Sequence, residues 1–209
     1  IPAGSEAVFN NGTTYEVNAV FDPNNAGKFV VVYKDTSNSH YGTAIVGIVS
    51  GTSISFGSEA VFNSAESEHI AVAFDPNNSG KFVVVYKDGA NSNYGTAIVG
   101  TVSGTSITFG SEYVFNSGSS YWNSISFDPN DSDKFVVCYQ DNGNSSRGTA
   151  IVGTVSGTSI SFGSEFVFNS ATTSYISVAF DPNNSGRFVV SYKDEGNSDY
   201  GTAIVGTVS

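Results

Sequence analysis

Methionine is absent from the 209 residues, cysteine and tryptophan occur once each, and only 13% of residues carry a formal charge. The single Cys138 can build neither an intrachain disulfide nor a cysteine-based zinc cluster. Basic residues are scarce. Eight Lys and Arg against 19 Asp and Glu leave a formal charge of −11, which repels phosphate backbones and anionic headgroups, so nucleic acid is not an expected partner. No apolar run approaches the roughly 18 to 20 residues of a membrane-crossing helix, and no basic stretch followed by an apolar one opens the chain, so membrane insertion is not expected. No glycine-rich loop stands at a strand-to-helix junction, which disfavours nucleotide chemistry. With no methionine anywhere, the Ile1 start is expected to be a processed or excised end.

The chain has instead 23 glycines, 13% aromatic residues and an apolar fraction of 39%, enough for a core and weighted towards strands and tight turns. It also repeats itself. Phe-Asp-Pro-Asn begins at Phe21, Phe74, Phe127 and Phe180, 53 residues apart each time. Gly-Ser-Glu recurs from Gly4, Gly57, Gly110 and Gly163, and Gly-Thr-Ala-Ile-Val-Gly from Gly42, Gly95, Gly148 and Gly201, without insertions. The repeats run approximately 1–53, 54–106, 107–159 and 160–209 and form one domain over 1–209.

Each repeat reads as four strands, lettered A to D. In the second, His69 to Phe74 alternates, with Ile70, Val72 and Phe74 on one side and Ala71 and Ala73 on the other. A turn-forming Asp75 to Gly80 leads to Phe82-Val83-Val84-Val85-Tyr86, apolar without a break and therefore covered on both faces. Thr96 to Val102 makes the third strand, and Ile107 to Phe115, after a Ser-Gly-Thr-Ser turn, the fourth. Four-stranded units of this length, with a buried second strand and a polar last one, predict an all-β, four-bladed β-propeller of antiparallel blades. Bulky residues on one side of strand A should pack against small ones of the neighbouring blade. Because the chain opens inside a fourth strand, Ile1 to Phe9 is expected to pair with Gly201 to Val208 and close the ring. The alternative is a four-blade part of a larger propeller, whether from a longer array or from two chains.

The string Phe74-Asp75-Pro76, Phe82 to Asp88, Tyr94 to Gly100 and Gly110-Ser111-Glu112 resembles the propeller-type repeats of tail and surface proteins of marine phages and bacteria. The resemblance covers the whole chain. It implies an adhesive or structural duty at a virion or cell surface, outside the cell, and no reaction.

Repeat-to-repeat variation falls on one face, where the D-to-A and B-to-C connections emerge. Recognition usually resides in such loops on a rigid scaffold. Equivalent positions Glu16, His69, Trp122 and Tyr175, with Tyr15 and Tyr121 beside them, offer rings and a carboxylate that suit a sugar or a protein surface. The B-to-C side adds His40, Tyr41, Tyr94, Arg147 and Tyr200. The leading expectation is a non-enzymatic binding or structural module with a glycan or protein ligand, as a monomeric propeller or within a larger assembly. A lectin is the alternative, and a hydrolase with an unidentified acidic pair the second. Asp22, Asp75, Asp128 and Asp181 could gather around a calcium ion, but each precedes a proline and is expected to cap its own turn. Glu6, Glu59, Glu112 and Glu165 suggest a shared pairing on the outer strand, and Cys138 a small core residue.

Overall fold

The computed structural model describes residues 4–208, and nearly all of its regular structure is strand. Fourteen strands follow in order: β1 (Thr14–Phe21), β2 (Lys28–Asp35), β3 (Tyr41–Ser50), β4 (Ser53–Phe56), β5 (Ala60–Phe74), β6 (Lys81–Asp88), β7 (Tyr94–Ser103), β8 (Ser106–Phe127), β9 (Lys134–Asp141), β10 (Arg147–Ser156), β11 (Ser159–Phe162), β12 (Phe166–Phe180), β13 (Arg187–Asp194) and β14 (Tyr200–Thr207). The pairing is antiparallel and runs as one path from β1 to β14, with β4 and β11 attached to β3 and β10.

The second strand of every repeat is the centre of its sheet. Val30, Val32, Val83, Val84, Val85, Val136 and Val137 are fully buried, as the uninterrupted apolar runs require. Each of these strands places a phenylalanine opposite a glycine of the third strand, as in Phe82↔Gly100 and Phe135↔Gly153. The far end of the ring fills the space that a side chain on the glycine would need.

Strands D and A are not separate elements joined by a loop. In β8 one ribbon of 22 residues leaves the second sheet and enters the third, and β5 and β12 make the same crossing. The crossing stays extended because the neighbouring turn holds it. The Gly89 N–H donates to Glu66 O at 2.8 Å and the Thr36 N–H to Thr13 O at 3.1 Å. Asn63, Asn116 and Asn169 each donate from Nδ2 to the aspartate that opens that turn, Asp88, Asp141 and Asp194.

Successive sheets pack large against small. Ile125 and Phe127 of the third repeat share a core with Ala71 and Ala73 of the second. Where the small residue is serine it also bonds across: Ser124 Oγ accepts from the Val178 N–H at 3.1 Å.

The expected closure is not formed among the described residues. β14 pairs only with β13 and β1 only with β2. Residues 4–12 lie instead against the first repeat, where Phe9 meets Tyr33 and Phe56 at 5.1 and 5.8 Å. That contact is the one Phe62 makes with Tyr86 and Phe109. The segment thus takes the packing of a fourth strand without the hydrogen-bonded partner, because side-chain docking needs only the next repeat while pairing needs the far end of the arc. Residues Ile1 to Ala3 of the expected closing strand lie outside the described residues.

Candidate ligand-binding ladder

The four positions singled out at the entry to strand A share a backbone state that the sequence does not announce. Glu16, His69, Trp122 and Tyr175 have φ of 55°, 50°, 53° and 53°. Each is the first residue of a β-bulge: the register steps from Tyr15↔Lys34 to Asn18↔Val32, and identically at 68/71, 121/124 and 174/177. A bulge residue in the left-handed region is ordinarily glycine, and holding a bulky side chain there costs ~1 kcal/mol or more. Here the cost recurs in every repeat, and none of the four residues is glycine.

The bulges stack the side chains across repeats. His69 meets Tyr121 at 4.9 Å and Trp122 at 5.6 Å, and Trp122 meets Tyr175 at 4.3 Å, giving a ladder of rings over three repeats. Glu16 holds the equivalent position in the first repeat. Burial lowers the His69 pKa against the opposing pull of Glu16, so the imidazole joins the ladder at pH 7 as an uncharged ring. Tyr175 is 64% exposed, while His69, Tyr121 and Trp122 are half-buried.

The remaining candidates are not part of the ladder. Tyr15 and Tyr200 are exposed, and His40 lies on the turn before β3. Tyr41, Tyr94 and Arg147 begin the third strands, paired with Glu66, Ser119 and Thr172 of the crossing ribbons. Among the described residues no ring contact joins the aromatic members of this group to the ladder.

An ion-pair chain beneath the ladder escaped the sequence reading. Glu68 bridges Lys34 of the preceding repeat at 3.1 Å and Lys87 of its own at 2.6 Å, Lys34 also meets Glu66 at 2.7 Å, and Lys87 lies 4.8 Å from the centre of the Tyr121 ring. Its signal was the lysine recurring at 34, 87 and 193, with Gln140 in the remaining repeat. Hydrogen bonding from Lys87, opposed by burial and aided by Lys34, holds the Glu68 carboxyl down from 4.5 to about 2. Stability from this group is therefore complete above pH 4.5 and is lost as pH falls towards 2. Glu68→Gln leaves the Lys87 ammonium without its carboxylate. It is expected to cost ~1–2 kcal/mol, discounted because Glu68 is partly exposed, and to flatten the acid limb of a melting-temperature profile over that window.

The aspartates before proline cap their own turns. Asp22 accepts from the Asn24 N–H at 2.9 Å and from Asn25 Nδ2 at 2.8 Å, and Asp75, Asp128 and Asp181 accept from the same backbone position. Asp22 and Asp128 also accept from Gly80 and Gly186 of the following repeat. The recurring glutamates accept from a buried phenol: Tyr33, Tyr86 and Tyr139 donate to Glu59, Glu112 and Glu165 at 2.6–2.7 Å. Burial, then those glutamates, raise the three phenols. Burial likewise raises the Cys138 thiol, which is fully enclosed in the third interface.

No protein-family model matches the sequence, and the comparison with curated proteins gives no match. Solved structures do match. Over all of this chain and 33% of its own, the NanB sialidase of Streptococcus pneumoniae superposes with a TM-score of 0.65 at 14% identity. Sqt1 of Saccharomyces cerevisiae gives 0.60 at 12% identity over 91% of this chain and 46% of its own. The exo-β-1,3-galactanase of Phanerochaete chrysosporium gives 0.55 at 15%, over 92% and 46%. The fold is propeller-like. At these identities the likeness carries the architecture alone, and the chain spans less than half the length of each structure it matches.

Proposed function

We propose that the chain is a non-enzymatic recognition module whose four repeats act as propeller blades and whose ladder binds the flat faces of a glycan. The observation that supports this most is the repeated left-handed bulge, which holds three rings in contact on one face at a cost to the backbone. Stacking suits this purpose: Tyr and Trp present large rigid areas at small entropic cost, and sugar rings have apolar faces to meet them. Adhesion at a virion or cell surface is the setting that the repeat resemblance implies.

The carboxylate beside the ladder supports binding rather than turnover. A glycosidase acid must hold a proton near neutral pH while a second carboxylate stays ionised. Glu68, beside the ladder, is fixed between two lysines and ionised down to about pH 2. A glycan array with the 209-residue chain is expected to give discrete signals that drop at least tenfold in Trp122→Ala and Tyr175→Ala. A blank array from folded protein would sink the sugar reading, and turnover of any arrayed glycan would sink the non-enzymatic one.

A further inference from the structure

The ends of the arc are two halves of an interface that the chain already builds three times. In the first instance Val30, Val32, Ala44 and Val46 of one repeat bury against Phe82, Val84, Tyr86 and Ile98 of the next. Val83, Val85, Ala97 and Val99 repeat it against Phe135, Val137, Tyr139 and Ile151, and Val136, Cys138 and Ala150 against Phe188, Val190 and Tyr192. The fourth repeat presents the face equivalent to Val30, Val83 and Val136, uncovered among the described residues. Val189 is 43% exposed where Val30, Val83 and Val136 are 0%, and Val205 is 61% exposed where Val46 and Val99 are 0%. At the other end Phe21 is 60% exposed where Phe74 and Phe127 are 5%.

The strand edges match as well. Residues 4–12 dock on the first repeat in the manner of a fourth strand. Phe9 takes the place of Phe62 and Phe115, and Asn10 Oδ1 accepts from the Gly12 N–H as Asn116 Oδ1 does from Gly118. Yet among the described residues no third strand runs beside this segment, while β14 is a third strand with no fourth. Next to β14 a groove of about 330 Å³ opens, lined by Phe188, Val205 and Val208 of the fourth repeat, by Val136 and Val152 of the third and by Phe166 of the ribbon that joins them. The pattern of buried phenols has the same gap. Tyr33, Tyr86 and Tyr139 each donate to a glutamate 26 residues on, and for Tyr192 the glutamate in that repeat position is Glu6.

We propose that a second copy of the chain supplies what each end needs, in a head-to-tail assembly. Residues 4–12 of one copy run along β14 of another in the register of Ala44↔Ala60 and Thr43↔Val61, which sets Ala7 opposite Ala203 and Val8 opposite Thr202. Glu6 accepts from Tyr192, and the Val17–Phe21 face covers Val189 and Val205. Within one chain the fourth contact would require all three existing interfaces to change their angle together, against close-packed side chains. A second copy requires no change, and a heterologous contact of this kind closes into a ring when its rotation allows.

Sedimentation velocity of the 209-residue chain is expected to show a discrete assembly of at least twice 21.8 kDa. A monomer at every concentration overturns the proposal. Ala7→Cys with Ala203→Cys, in a Cys138→Ser background that installs the serine the fourth repeat carries as Ser191, tests the register. Oxidation is expected to yield covalent species of two or more chains. A link within one chain, or none, overturns it. Val205→Lys is expected to reduce the assembly to monomers with the circular dichroism spectrum unchanged, whereas persistence of the assembly counts against the proposed face.

Discussion

Gly153→Ala is expected to destabilise the chain by ~3 kcal/mol or more, the high end of overpacking in a well-filled core. The methyl group would stand inside the van der Waals envelope of the Phe135 ring, directly opposite it in the register. That ring cannot retreat. It is fully buried between Phe127 at 5.2 Å and Phe162 at 6.0 Å, so the methyl must force it off its rotamer or part β9 from β10. The same change in the last repeat, Gly206→Ala against Phe188, meets a sheet whose far face is open at Val189 and Val205, and is expected to cost about half as much by the same reasoning. Urea or thermal unfolding of the two variants side by side decides it. Equal losses at the two sites would mean that the glycine–phenylalanine pair is a local device, indifferent to the interfaces around it. Gly153→Ala with Phe135→Leu should recover part of the loss, a coupling that a double-mutant cycle reads directly.

The 53-residue period, the aspartate-proline turns and the buried second strands were legible because each is set by residues close together in sequence. Phe82-Val83-Val84-Val85-Tyr86 has one physical solution, a strand covered on both sides. The crossing ribbons were not legible in the same way. Asn116 to Ser120 is polar and small, the composition of a loop, but its extended state is imposed by Asp141 and the neighbouring turn, which lie some 25 residues away. Ring closure failed for a related reason. The order of strands says which edges are complementary, but whether they meet depends on the sum of three angles between repeats. No single stretch of sequence encodes that sum. The ladder lies between these cases. Comparing repeats picked out positions 16, 69, 122 and 175, yet their left-handed backbone had no signal, since the residue that normally marks it, glycine, is missing from all four.

That missing glycine gives the second large prediction. If Glu16, His69, Trp122 and Tyr175 are retained for what their side chains bind, replacing each by glycine should relieve the backbone while removing the ligand surface. Relief is worth ~1 kcal/mol per site, and the added freedom of glycine in the unfolded chain takes back ~0.5–1 kcal/mol. At the exposed Glu16 the balance is neutral to stabilising. At Trp122, loss of the contacts with His69 and Tyr175 subtracts a further ~0.5–1.5 kcal/mol, so a modest drop in Tm is expected there. The fourfold variant should therefore melt within several degrees of the parent, at about 2–4 °C per kcal/mol for a chain of this size, and its glycan signal should vanish. Valine at the same four positions is the control. It keeps the left-handed strain, adds a branched Cβ and offers no flat face, so stability and binding should both fall. If instead the four glycines unfold the protein, the side chains are structural props for the inner strands, and recognition must reside elsewhere on the face.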